Sequence, residues 1–166
     1  MGGGVALQMA IRHPDAVRRL IVVSQPMRHS GWFPEVRAAY EQMPVHAAQI
    51  ARNIQGSPIG TMYPELDWER LLRKIGDLES RDFDWKAAVA AIKAPTLLAF
   101  ADADAIQIEH IAKFYKTLGG AARDAGLDGS LRASARLAIV PGVTHYDIAS
   151  KPSTGDLAAA FLDANA

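Results

Sequence analysis

The chain has 166 residues, enough for one compact domain and a poor fit to two. Hydrophobic residues make up 49% and charged residues 22%, and 18 Lys and Arg balance 18 Asp and Glu, which argues against disorder, a nucleic-acid partner or an anionic membrane. There is no cysteine, so disulfides, thiolate metal sites and a cysteine nucleophile are excluded, and a reducing compartment, the cytoplasm, is expected.

No basic segment precedes an apolar one at the N-terminus, and no apolar run reaches membrane-spanning length. Met1-Gly2 opens like a myristoylation signal, but Ala6 stands where that signal needs Ser or Thr. Gly2-Gly3-Gly4 leads into residues 5–12, whose apolar positions are spaced for a buried helix that Pro14 closes. Residues 20–23, Leu-Ile-Val-Val, are apolar on both faces, the pattern of a parallel strand covered by helices on each side. Residues 26–92 differ: prolines recur at Pro34, Pro44 and Pro58, and Trp32, Phe33, Trp68 and Trp85 show no strand alternation. Helices are expected over 38–53, 66–76 and 85–92, so this stretch reads as a helical insertion.

A strand returns at 96–100, followed by a helix over about 109–118 that stops at Gly119-Gly120. After a polar loop comes a strand over 137–140, halted by Pro141-Gly142, and a closing helix over 156–162 with Ser153 or Thr154 as its cap. Strand and helix alternating in this order predict an α/β fold with a short parallel sheet and right-handed crossovers. Three parts follow: 1–25 and 95–166 as core, and 26–94 as the insertion.

Open parallel sheets place their sites outside the carboxyl ends of the strands. Two such ends carry the right residue types: Ala101-Asp102-Ala103-Asp104, and Gly142-Val143-Thr144-His145. An acid on one loop and a histidine on the next can meet across neighbouring strands, where the carboxylate fixes the imidazole tautomer. The five histidines, His13, His29, His46, His110 and His145, are too scattered for a metal motif. Gly2 to Gly4 lack the dinucleotide spacing and are better explained by close helix–sheet packing, so neither metal nor cofactor is expected.

Four segments resemble the α/β-hydrolase family. Met1-Gly2-Gly3-Gly4 is similar to the residues after the nucleophilic serine in the G-x-S-x-G elbow, with Met1 as the second x and Gly2 as the closing glycine. Ala10 to Pro14 with Val17, Leu20 and Val22 resembles the end of the elbow helix and the next strand. Pro95 to Asp104 resembles the acid-bearing strand end, with Ala101 in place of the usual glycine, and Pro141 to His145 resembles the histidine loop. The resemblance covers nearly the whole chain. It implies Asp104 as the triad acid, His145 as the base, the backbone N–H of Met1 as an oxyanion donor, and a cap over residues 26–94.

The resemblance also implies a serine and about a hundred residues ahead of Met1, four strands with ordinary connections. Ser24 ends a strand, but Gln25-Pro26 cannot make a glycine elbow, and Ser150 and Ser153 lie beyond the histidine loop. The implied function is hydrolysis of an ester, lactone or similar small carbonyl substrate, with this chain inactive alone for want of its nucleophile. His29, Trp32 and Phe33 are candidates for the cap pocket. The alternative is a non-catalytic small-molecule-binding or interaction protein derived from the same fold. Strand 20–23, lacking the elbow strand beside it, is expected to be an apolar edge that promotes self-association.

Overall fold

A computed structural model describes residues 1–164. Helix α1 (Gly2–Arg12) leads through a short 3-10 turn into strand β1 (Leu20–Val23). Four helices follow: α2 (Pro34–Gln55), α3 (Pro58–Met62), α4 (Trp68–Glu79) and α5 (Lys86–Ala90). Strand β2 (Thr96–Ala103), helix α6 (Ile108–Thr117), strand β3 (Arg136–Thr144) and helix α7 (Pro152–Asp163) complete the described chain. The strands form one parallel sheet in the order β1-β2-β3, so β1 and β3 are its edges.

The sheet explains why the strands read as apolar runs. Leu20, Val22, Leu98 and Phe100 join Leu7 and Ala10 of α1, Val89 of α5 and Ile111 and Phe114 of α6 in the main core. Val23, Ala101, Val140 and Val143 pack with Ile148 in a second cluster. Gly3 is needed where α1 crosses the end of β1: a Cβ there would lie 2.7 Å from Gln25 Cβ and 3.2 Å from Val23 O. Close packing therefore accounts for Gly3, and for Gly4, where a Cβ would lie 3.3 Å from Gln25 Oε1, whereas a Cβ at Gly2 would meet nothing within 4 Å.

Helices α2 and α4 have a cluster of their own, with Ala47, Ala51, Trp68 and Leu72 buried between them. Pro34 sits at the first turn of α2, where its fixed φ suits a helix start, so α2 begins four residues before the expected 38. The five-residue α3 was not expected; Ser57 caps it by accepting Gly60 N–H at 3.4 Å.

Two expectations are corrected at the C-terminal end. Pro141-Gly142 does not halt β3, which runs on to Thr144. The register passes from Ala101↔Val140 to Ala103↔Thr144, so the strand absorbs the pair as a bulge, with Gly142 at φ +69°. Neither Ser153 nor Thr154 caps α7. Lys151 holds the N-cap position, Pro152 opens the helix, and the Thr154 hydroxyl is buried without a partner among the described residues.

Candidate active site

The carboxyl ends of β2 and β3 bring two of the expected residues together. His145 Nδ1 lies 3.1 Å from Asp104 Oδ1, with the imidazole 18% and the carboxylate 1% exposed. Asp104 is held on its other oxygen as well: Oδ2 accepts Ser24 Oγ–H at 2.6 Å and Ala101 N–H at 2.9 Å. Burial alone would raise the Asp104 carboxyl, but the hydrogen bonds from His145, Ser24 and Ala101 outweigh it and hold the group below the ordinary value. An ionised Asp104 can only accept, so the proton of a neutral His145 belongs on Nδ1. That leaves the Nε2 lone pair free, the state a general base needs.

Trp32 presses edge-on against the imidazole, ring centroids 5.3 Å apart at 83°, and Tyr40 packs edge-on against Trp32 at 5.6 Å. The Tyr146 ring also packs against His145, centroids 5.4 Å apart. Burial, then the charges of Glu79 and Tyr146, push the Tyr40 hydroxyl up to about 12, so it remains a neutral donor throughout the physiological range. Glu79 is itself buried and lies 3.8 Å from the Met1 amine.

The remaining candidates lie elsewhere. His29 is buried against Phe83, with Nδ1 3.9 Å from Asp82 Oδ1 and Nε2 unpartnered among the described residues. Phe33 is half-exposed at the N-cap of α2. A cleft of about 520 Å³ runs along the outer face of α1, lined by Met1, Val5, Met9, Leu78, Phe83 and Trp85 among others. His29, Trp32 and Phe33 do not line it, and neither do Asp104 and His145. Among the described residues no cluster of His, Asp or Glu has a metal-binding arrangement. No described helix is long and apolar enough to cross a membrane.

Sequence reasoning weighed Ser24 only as a nucleophile. Its hydroxyl goes to the acid instead of the histidine, from a backbone at φ +44° that a non-glycine residue rarely adopts. The signal was a serine at a strand end beside the acid-bearing strand, and only the β1–β2 pairing reveals what it meets.

No protein-family model and no curated protein matches the sequence. The three-dimensional structure does have likenesses. It resembles MGS-M2, an α/β-hydrolase enzyme from a Medee basin deep-sea metagenome library, with a TM-score of 0.65 at 16% identity, covering 99% of this chain and 63% of that one. It also resembles the enol-lactonase of Burkholderia xenovorans LB400, with a TM-score of 0.61 at 19% identity, covering 99% of this chain and 63% of the other. The carboxylesterase CesB of Bacillus subtilis gives a TM-score of 0.57 at 18% identity, covering 99% and 58%. The chain carries part of the α/β-hydrolase fold. It spans 58–63% of the length of these three proteins. Its short parallel sheet flanked by helices places Asp104 just past the end of β2 and His145 just past the end of β3.

Proposed function

We infer that the chain is the acid- and histidine-bearing part of a serine hydrolase acting on an ester, lactone or similar small carbonyl substrate. The observation that carries this reading is the buried Asp104 carboxylate 3.1 Å from His145 Nδ1, at the ends of paired strands. His145 takes a proton from the nucleophile and returns it to the leaving group, while Asp104 holds the Nδ1–H tautomer and stabilises the imidazolium. The serine is supplied by sequence outside these residues, which contain no G-x-S-x-G. Met1 and Gly2, at the start of α1, are the elbow positions, where a peptide N–H at Met1 would complete an oxyanion hole. Residues 26–94 form the cap, and Trp32 within it packs against the imidazole. The carboxylesterase and lactonase named among the structural likenesses fit this substrate class.

The test extends the reading frame upstream of the Met1 codon through the G-x-S and the four strands expected before it. The extended protein is expected to hydrolyse short p-nitrophenyl esters and to be labelled by a fluorophosphonate, and the 166-residue chain to do neither. His145→Ala in the extended protein is expected to lower kcat about 10²–10⁴-fold. A stop codon immediately upstream would sink the reading and favour a binding module. The apolar cleft along α1, which excludes His145, is the observation that favours that second reading.

A further inference from the structure

The segment leading to His145 is fastened by two carboxylates that make no contact with the imidazole. Between Ala101 and Ala103 on β2 lies Asp102 alone, whereas between their partners Val140 and Thr144 lie Pro141, Gly142 and Val143. Residues added to one strand lose their ladder partners, and an unpaired backbone N–H is costly. Asp102 supplies what the ladder cannot. Its Oδ2 accepts Gly142 N–H at 2.9 Å, and its Oδ1 accepts Val143 N–H at 3.3 Å. The next N–H, that of Thr144, donates to Asp147 Oδ1 at 2.7 Å, and the Thr144 hydroxyl donates to the same oxygen at 2.9 Å. Asp147 Oδ2 is in turn 2.9 Å from Lys151 Nζ.

Three successive N–H groups immediately before His145 therefore end on two aspartates. The Gly142 N–H foremost holds the Asp102 carboxyl below its ordinary value. The Thr144 N–H, then Lys151, hold Asp147 down to about 2. Both remain anions through neutral and mildly acid conditions. Asp102 is unlike a local turn aspartate such as Asp128, which accepts Ser130 N–H two residues on. Asp147 reaches back three residues, and Asp102 reaches forty residues along the chain to the neighbouring strand.

We propose that Asp102 and Asp147 are positioning residues for His145, fixing the backbone from Gly142 to Thr144 so that the imidazole Nδ1 stays on Asp104. The geometry needs this. Among the described residues the ring's one hydrogen bond is at Nδ1, and a small displacement of residue 145 would break it. The assignment of a purpose to that pairing rests on the hydrolase reading; the clamp itself is tested apart from it.

The experiment uses the full 166-residue chain and needs no turnover. Long-range ¹H–¹⁵N NMR reads the His145 tautomer at pH 7.5 in the unsubstituted protein and in Asp102→Ala, Asp147→Ala, Asp104→Asn and the control Asp128→Ala. The unsubstituted protein and Asp128→Ala are expected to show His145 predominantly as the Nδ1–H form. Asp102→Ala and Asp147→Ala are each expected to shift it predominantly to the Nε2–H form of a free imidazole, with circular dichroism unchanged. Should Asp102→Ala fail to fold, Asp102→Asn, which keeps one acceptor oxygen, is expected to give an intermediate mixture. Retention of the Nδ1–H form in the Asp102 and Asp147 variants overturns the clamp while leaving the Asp104–His145 pair intact. Absence of that form from the unsubstituted protein, or its indifference to Asp104→Asn, overturns the pair and the clamp together.

Discussion

Ser24 and Asp104 show how a single carboxylate organises this end of the sheet. Ser24 holds a left-handed backbone conformation that costs about 1–3 kcal/mol for a residue with a side chain. Its 2.6 Å bond to an ionised, buried carboxylate contributes about 1.5–3 kcal/mol in the other direction. The two effects separate by substitution. Ser24→Ala loses the bond and keeps the strain, so urea unfolding at pH 7 is expected to show a loss of about 1.5–3 kcal/mol. Ser24→Gly loses both and is expected to cost clearly less; equal costs would show that the backbone is unstrained. The folded Asp104 value is depressed, so its contribution is complete above the unfolded value and fades as pH falls through the folded one. The Ser24→Ala penalty should shrink over that same acid range.

His110 is the opposite case, a histidine that must stay neutral. It is buried, and its Nε2 accepts Met27 N–H at 3.1 Å. Burial first, then the charges of Arg28 and Lys113, lower it from 6.5 to about 4. A folded-state value below the unfolded one means that stability is fully present above pH 6.5 and is lost as pH falls towards 4. At 1.36 kcal/mol per unit the loss is on the order of 3 kcal/mol. His110→Asn retains an acceptor but does not titrate, so its unfolding free energy should be flatter between pH 6.5 and 4. A slope equal to that of the unsubstituted protein would place the acid sensitivity elsewhere.

At the scale of elements, α2 and α4 should behave as a unit with its own stability. Their buried residues Ala47, Ala51, Trp68 and Leu72 form a cluster distinct from the one that joins α1, α5 and α6 to the sheet. Leu72→Ala removes a buried side chain at about 2–5 kcal/mol. Hydrogen exchange is expected to quicken in α2 and α4 while β1, β2 and β3 keep their protection. Uniform acceleration throughout the chain would mean that helices and sheet unfold together.

The same elements show what a sequence discloses. Strand β1 and the first five residues of β2 were legible because strands packed on both faces are apolar at nearly every position. Asp104 and His145 were legible as partners because each lies four or five residues past an apolar run, 96–100 and 137–140. The continuation of β3 through Pro141-Gly142 was not, since a proline and a glycine ordinarily end a strand, and the bulge that admits them depends on Asp102 across the sheet. Ser24 as a partner of the acid was hidden for the same reason: the bond spans eighty positions in the chain. Helix α3 is five residues long, shorter than any hydrophobic period can reveal.

For the whole molecule, the decisive feature is the free edge of β1. This strand pairs on one side with β2, from Leu20↔Thr96 to Val23↔Ala99, and no strand of the described chain pairs on its other side. Leu20 and Val22 are buried and Ile21 and Val23 partly so, which makes an apolar edge with no charge along its four residues. Next to it, α1 exposes Val5 at 65% and Met9 at 45%. An unpaired apolar strand beside an exposed apolar helix face is a template for another strand. The 166-residue chain is therefore expected to self-associate, with a sedimentation coefficient that rises with concentration. Ile21→Lys places a charge on the edge, where the lysine stem can lie along the sheet while its ammonium reaches water. That substitution should shift the association to several-fold higher concentration and leave the far-ultraviolet circular dichroism unchanged. In the upstream-extended protein, an elbow strand would occupy this edge, so Ile21→Lys there should destabilise the fold and leave its association unaltered. A concentration-independent monomer for the 166-residue chain would show that the edge is already protected, by its shortness or by the approach of α1.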